Sequence, residues 1–146
     1  MVAPPPLIFL AFLGVGMLLE WPWPTHLLSW PVAVGVGVAC LSVGLVGLQA
    51  AIRTVWRGQT PVDPRKPTTA IVTAGLYGLS RNPIYVSEAL IYLGVSLALN
   101  AEWAIALVPV LLWTVQVGVI EPEERYLEKV FGHVYLDYKR RVRRWL

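Results

Sequence analysis

Charged residues are scarce in this sequence, and long stretches contain none. Asp, Glu, Lys and Arg make up 14% of the 146 residues, whereas 56% are hydrophobic. Soluble globular domains carry about 25% charged residues. The segment 30–52 has no formally charged residue at all. The composition therefore excludes an ordinary soluble domain and indicates that lipid surrounds most of the chain.

Cysteine and histidine are also rare. Cys40 is the only cysteine, so the sequence contains no disulfide framework, and its place in an apolar run is typical of a small buried hydrophobic residue. His26 and His133 are far apart and match no metal-binding spacing such as HExxH. We therefore expect no metal cofactor.

Four apolar segments have about the length that crosses a bilayer, which is about 20 residues. We predict transmembrane helices at about 2–19, 30–52, 84–99 and 101–120, within one membrane domain over 1–146. A signal peptide is the alternative for the first segment, but it lacks a basic leading region and a small-residue cleavage site. The residues Asn100-Ala101-Glu102 are predicted to form a tight turn.

Small and aromatic residues occupy positions typical of membrane helices. Glycines that favour close helix packing lie in the second segment: Gly35, Gly37, Gly44 and Gly47. Tryptophans expected at the outer interface are Trp21, Trp23, Trp30 and Trp103, and those expected at the inner one are Trp56 and Trp145. Trp113 alone falls near the middle of a segment.

Lys and Arg are distributed unevenly around these segments. Five lie between the second and third segments, seven follow the fourth, and none lies in 20–30 or 100–102. The positive-inside rule then places the 53–83 loop, the 121–146 tail and both termini in the cytoplasm. Because these cations lie beside helix ends, we expect a bilayer and no nucleic acid as partner.

The tail 121–146 alternates charged and apolar residues at spacings near three and four, which predicts an amphipathic helix broken near Gly132. The predicted fold class is therefore an all-α integral membrane protein with about four transmembrane helices and a cytoplasmic C-terminal amphipathic helix.

Polar residues gather at the cytoplasmic ends of the third and fourth segments. Pro83 suits the first turn of a helix, where Arg81 and free backbone amides favour an anionic group. Glu123 and Glu124 suit an ammonium group or ribose hydroxyls as hydrogen-bond acceptors. These residues predict a pocket for a zwitterionic ligand. The alternative is that Arg81 and the acidic group form a purely structural salt bridge.

Glu88 lies one turn inside the third segment, where a carboxylate is costly and usually functional. One interpretation is that it snorkels to the interface or pairs with Arg81. The other is that it binds or deprotonates a substrate. Glu88 and Arg81 are the candidate catalytic residues.

Two separated motifs carry a family resemblance. The first runs from Leu76-Tyr77 to Tyr85, and the second is Glu123-Glu124-x-x-Leu127-x-x-x-Phe131-Gly132-x-x-Tyr135-x-x-Tyr138-x-x-x-Val142-x-Arg144-Trp145. Together they resemble the isoprenylcysteine carboxyl methyltransferase and phospholipid methyltransferase superfamily, over about half of the chain.

The resemblance implies an S-adenosylmethionine pocket between the loop before the third segment and the end of the fourth, open to lipid. The cofactor-binding residues that it implies are Thr69, Ala70, Ile71, Val72, Tyr77, Asn82, Pro83, Ile84, Tyr85, Glu123 and Glu124. The eukaryotic carboxyl methyltransferases have His, Gly and Arg where this chain has Asn82, Ser87 and Val119. We therefore assign no prenylcysteine substrate.

The function expected from this resemblance is S-adenosylmethionine-dependent methyl transfer at the cytoplasmic face of the cell membrane. The acceptor is a lipid or lipid-soluble carboxylate, amine or thiol, and the oligomeric state stays open. One alternative is an NADPH-dependent enzyme like the sterol reductases, whose R-x-P-x-Y segment and following Gly-Glu are similar to 81–88. The other is a non-catalytic membrane subunit with the same fold.

Overall fold

The computed structural model describes residues 4–25, 28–58 and 70–146, and every regular element in these ranges is helical. The elements are α1 (Pro5–Glu20), α2 (Trp30–Arg57), a short 3-10 helix (Gly75–Gly78), α3 (Pro83–Ala98), α4 (Glu102–Ala106), α5 (Val108–Val115), a π-helical segment (Gln116–Ile120), α6 (Glu121–Phe131) and α7 (His133–Arg141). The predicted all-α class is confirmed.

Proline marks the start of most of these helices. It occupies one of the first two positions of α1, α2, α3, α5 and α6. A proline has no amide hydrogen to leave unbonded there, and its fixed φ suits the first turn. Pro83 begins α3 as predicted, and Asn82 before it stays outside the helical region at φ −129° and ψ 51°.

The helices α2 and α3 pack along each other at glycines. A Cβ atom on Gly37 would lie 2.6 Å from Ala98 N, and one on Gly94 would lie 2.5 Å from Leu41 N. Backbone therefore meets backbone at this crossing, which only glycine permits. The prediction of close packing is confirmed for Gly37, while Gly35 faces outward with no neighbouring atom within 4 Å of its Cβ position.

One end of the helix bundle is rich in tryptophan. Trp103 Nε1 donates a hydrogen bond to the Trp23 carbonyl at 2.8 Å, and Trp103 N donates to Glu20 Oε2 at 3.3 Å. The predicted turn between α3 and α4 lies at this end. Asn100 adopts φ +53° there, a left-handed conformation that asparagine tolerates better than most residues.

The outer surface of the bundle is apolar, with Leu18, Val46 and Trp113 each at least 65% exposed. Large apolar patches of this kind indicate contact with lipid or protein. Among the described residues, α2 is the helix that has both the length and the composition to cross a bilayer, with a mean hydropathy of 2.2. The helices α1 and α3 are apolar but shorter, at 16 residues each. Four transmembrane helices stay a prediction.

The C-terminal tail folds back onto the bundle. The helices α6 and α7 meet at Gly132, with φ +53° and ψ −127°, which confirms the predicted break. Beyond α7, Trp145 packs against the buried core and donates a hydrogen bond to Gln116 Oε1 at 3.1 Å. The prediction of an interfacial anchor thus missed the main contact of this residue, which is with protein.

Candidate functional site

A cavity of about 390 Å³ lies where α2 ends and α3 begins, at the end of the bundle opposite Trp23 and Trp103. Its volume is within the range of about 300–1,000 Å³ typical of small-molecule sites. Predicted site residues that line it are Ala70, Ile71, Val72, Tyr77, Arg81, Asn82, Ile84, Tyr85, Glu88, Glu123 and Glu124. Pro83 starts the adjacent helix without lining the cavity, and Thr69 lies outside the described residues. The fold thus brings together two groups of residues that are far apart in sequence.

The two walls of the cavity differ in chemistry. Helix α2 contributes Leu48, Ile52 and Val55, and the start of α1 contributes Pro5 and Pro6. The opposite wall, from α3, α6 and α7, is rich in carboxylate, guanidinium and phenol groups. A ligand that fits this cavity therefore combines a charged part with an apolar part or an apolar neighbour.

Tyr85 and Glu123 connect α3 to α6 across the polar wall. The Tyr85 hydroxyl donates a hydrogen bond of 2.9 Å to Glu123 Oε2. Burial raises the pKa of the Glu123 carboxyl, and the hydrogen bond from Tyr85 partly offsets this effect. A cation or a hydroxyl donor in the cavity would stabilise the ionised carboxylate. Glu123 is therefore positioned to bind a positively charged or hydroxylated ligand.

Glu124 lies at the centre of an ion-pair network. Arg144 binds it through two hydrogen bonds, Nε to Oε1 at 3.1 Å and Nη2 to Oε2 at 2.9 Å. Arg81 Nη1 lies 3.1 Å from Oε1, with both side chains less than 10% exposed. The hydrogen bond to Glu124 raises the pKa of Arg144. Arg81 therefore forms a salt bridge with the acidic group, as predicted by the alternative to a ligand pocket. It also lines the cavity.

Arg81 retains unused hydrogen-bond donors in this arrangement. Its Nε and Nη1 are buried and donate no hydrogen bond within the described part of the chain. The Tyr135 hydroxyl lies beside the guanidinium, which lowers the pKa of Tyr135 against the larger upward effect of burial. Buried donors without acceptors are costly and rare. An anionic ligand group at this wall would supply the missing acceptor.

Glu88 lies one turn along α3 from Tyr85 and faces the same cavity. Its Oε2 is buried and has no hydrogen-bond partner among the described residues. No ion pair in the described ranges includes Glu88. Arg81, which one interpretation made its partner, pairs with Glu124 instead. The interpretation of Glu88 as a partner of Arg81 is therefore wrong, while its placement at the interface and its role toward a substrate stay predictions.

Aromatic residues close the cavity from the side of the tail. Tyr138 donates a hydrogen bond of 2.7 Å to the Tyr77 carbonyl, and its ring lies 6.1 Å from that of Tyr135 in an edge contact. Burial raises the pKa of Tyr138 to about 12, against the opposing effect of Arg81. The phenol is therefore neutral at pH 7 and acts as a hydrogen-bond donor. It fixes the 3-10 helix over the cavity.

The last residues of the chain support the site from behind. We call 142–145 the C-terminal strap. Asn82 Nδ2 donates to the Arg144 carbonyl at 2.8 Å, and Arg81 N donates to the Arg143 carbonyl at 2.9 Å. The sequence motif included Arg144, but nothing in its spacing predicted this contact with 80–82. The apolar residues of α1 and α2 were also missed, because an apolar stripe in a membrane helix predicts lipid contact equally well.

The comparisons with known proteins give one family match. The family model for phospholipid methyltransferase matches residues 32–134. The matched range includes α2 except for its first two residues, and the whole of α3 and α6. No curated protein and no solved structure matches the chain significantly.

Proposed function

This chain belongs to the phospholipid methyltransferase family, and we propose that its cavity binds S-adenosylmethionine for methyl transfer to an acceptor that partitions into the membrane. Family membership points to a membrane methyltransferase. The cofactor, the acceptor class and the membrane face are the proposal. The observation that carries it is the joint lining of one cavity by Arg81, Tyr85, Glu88 and Glu123.

The chemistry of the cavity fits this cofactor. S-adenosylmethionine carries a sulfonium, an ammonium, a carboxylate and ribose hydroxyls. Glu123 suits the ammonium or the hydroxyls, and the free donors of Arg81 suit the carboxylate. The apolar and tyrosine side chains suit the adenine ring and exclude water. The buried groups without partners, Arg81 Nε and Glu88 Oε2, thus match ligand groups of opposite charge.

The residues of the chain have separate tasks in the proposed reaction. When bound, S-adenosylmethionine supplies a methyl group on a positively charged sulfur. Tyr85 holds Glu123 in place, and Arg81 provides the positive charge of the polar wall. For an amine or thiol acceptor, Glu88 Oε2 receives the proton that the acceptor loses on methylation or accepts a hydrogen bond from it, whereas a carboxylate acceptor has no proton to transfer. The surrounding apolar wall keeps water from the reacting groups, so positioning supplies most of the rate enhancement.

The apolar wall also supports a lipid or isoprenoid acceptor. Leu48, Ile52 and Val55 lie on α2, the helix with the strongest membrane character. An acceptor whose chain lies along α2 would present its carboxylate, amine or thiol beside Glu88. We include in this proposal a single domain over 1–146 with four transmembrane helices and both termini in the cytoplasm. The cations Arg53, Arg57 and those of α7 lie at the cavity end, as the positive-inside rule requires.

Titration calorimetry with S-adenosylhomocysteine on detergent-purified protein tests the proposal. Saturable binding is expected for the wild type and a loss of at least about tenfold in affinity for Glu123→Gln, which removes a charged partner. Tyr126→Phe is the control, because Tyr126 lies on the exposed side of the same helix. The proposal is refuted if the wild type shows no saturable binding, or if Glu123→Gln binds as well as Tyr126→Phe.

A further inference from the structure

Three cations compete for the Glu124 carboxylate. Arg144 approaches both of its oxygens, Arg81 approaches Oε1, and Lys139 Nζ lies 3.9 Å from Oε2. Glu124 is buried, with 6% of its side chain exposed. A carboxylate accepts one arginine in the strong two-bond geometry, and at this site Arg144 occupies that geometry. Arg81 therefore makes a single contact with Glu124, through Nη1.

This single contact leaves Arg81 with unused donors. Nη1 lies 3.1 Å from Glu124 Oε1 but in poor hydrogen-bond geometry, and Nε has no acceptor within the described residues. Removing Arg144 would leave both oxygens of Glu124 to Arg81, because Lys139 lies 3.9 Å from Oε2 and pairs with Glu128 instead. The two-bond pair would then form between Arg81 and Glu124, and the donors that line the cavity would be consumed.

The backbone of the C-terminal strap reinforces the same arrangement. The Arg144 carbonyl accepts hydrogen bonds from Asn82 Nδ2 at 2.8 Å and from Ser80 Oγ at 3.3 Å. These contacts fix the residues on both sides of Arg81. The Arg144 side chain, with 29% exposure, pairs with Glu124 and does not line the cavity. One residue of the strap thus controls both the place of Arg81 and its competition for Glu124.

We propose that Arg144 is a positioning residue that keeps Arg81 available to an anionic group of the bound ligand. Arg144 does this by occupying the Glu124 carboxylate, which would otherwise capture Arg81. The inference rests on the proposed function, because it requires a ligand with a carboxylate. It goes beyond that function by assigning ligand affinity to a side chain that does not line the cavity.

The test is a double-mutant cycle on S-adenosylhomocysteine affinity, measured by calorimetry. Arg144→Ala is expected to lose about tenfold or more in affinity, because Glu124 then captures Arg81. Adding Glu124→Gln to Arg144→Ala is expected to restore most of this affinity, because glutamine has no negative charge to pair with Arg81. A merely structural role of the network predicts the opposite, that the double variant binds no better than Arg144→Ala.

A second probe identifies the ligand group involved. 5′-Methylthioadenosine has the adenosine and thioether of S-adenosylhomocysteine but lacks its amino acid part. The affinity for 5′-methylthioadenosine is measured by its competition with S-adenosylhomocysteine, and Arg144→Ala is expected to leave this affinity unchanged. An equal loss of affinity for 5′-methylthioadenosine and for S-adenosylhomocysteine would overturn the inference. Arg140→Ala is the control, since Arg140 is 79% exposed and pairs only with Asp137 at 3.4 Å among the described residues.

The outcomes separate this inference from the proposed function. No binding of S-adenosylhomocysteine by the wild type would overturn the proposed function. Normal binding by the wild type and by Arg144→Ala would overturn the role of Arg144 alone. Arg144→Lys covers the case in which Arg144→Ala does not fold. Lysine keeps the charge but not the two-bond geometry. The affinity of Arg144→Lys for S-adenosylhomocysteine is therefore expected to be measurable but lower than that of the wild type and of Arg140→Ala, and unchanged affinity would overturn the inference.

Discussion

Two glycines of α2, separated by one residue, have opposite surroundings. A Cβ on Gly37 would lie 2.6 Å from Ala98 N and 2.7 Å from the Gly94 carbonyl oxygen. A Cβ on Gly35 would have no neighbouring atom within 4 Å. Replacing each glycine by alanine therefore tests the α2–α3 crossing with the smallest possible change.

The expected effects of Gly35→Ala and Gly37→Ala on the stability of the protein differ in sign. Alanine is favoured over glycine in a helix interior by about 0.8–1.0 kcal/mol, so Gly35→Ala should stabilise the protein slightly. Gly37→Ala gains the same term but forces two backbones apart, and overpacking of this kind costs about 1–3 kcal/mol. Because the clash is with backbone atoms, no side-chain rotation relieves it, and the cost should be near the upper value. We expect Gly37→Ala to be less stable than Gly35→Ala by about 3 kcal/mol.

Unfolding of both variants in detergent, followed by circular dichroism, measures this difference. Gly37→Ala should unfold at a clearly lower temperature than the wild type, and Gly35→Ala at an equal or higher one. Gly37→Ala should also weaken S-adenosylhomocysteine binding, because α2 and α3 carry facing walls of the cavity. Equal stability of the two variants would refute this orientation of α2 against α3, on which the facing walls of the cavity depend.

Three further predictions concern single residues. Glu88→Gln should lose methyl transfer while S-adenosylhomocysteine affinity stays within about twofold, and loss of both would indicate a structural role. Tyr85→Phe removes the hydrogen bond that lowers the pKa of Glu123, so less of this carboxyl is ionised at neutral pH. The affinity of the variant for S-adenosylhomocysteine, measured by calorimetry, should therefore fall at neutral pH and recover as the pH is raised; a loss independent of pH would contradict this. Gly132→Ala should lower the unfolding temperature through backbone strain at φ +53°, although its Cβ meets no atom within 4 Å, and an unchanged temperature would refute the strain.

Much of the fold follows directly from residue types in the sequence. Pro83 starts α3 because proline suits a first helical turn, Gly132 breaks the tail because its φ is positive, and Asn100 makes the turn for a related reason. The meeting of Arg81 with Glu124 also follows, since both lie where helices end at the same side of the bundle. Local chemistry and the antiparallel order of the helices decide these features.

Other parts of the site have no signal in a single sequence. Helix α2 is apolar around most of its circumference, so its sequence does not reveal which face meets α3 and which meets lipid. Gly37 and Gly35 are for this reason indistinguishable before the structure is known. The contacts of the C-terminal strap run through the Arg143 and Arg144 carbonyls, which every residue type possesses. Trp145 likewise has the composition of an interfacial anchor, and its core contact depends on where α7 ends.

Locating the bound cofactor tests most directly whether this cavity binds S-adenosylmethionine. Purified protein would be irradiated with ultraviolet light in the presence of radiolabelled S-adenosylmethionine, digested and mapped. We predict label on peptides that contain Tyr77, Tyr85 or Tyr135, and loss of that label in excess S-adenosylhomocysteine or in the Glu123→Gln variant. Label that excess S-adenosylhomocysteine does not remove, or label confined to the tryptophan-rich end of the bundle, would contradict the assignment of this cavity to the cofactor.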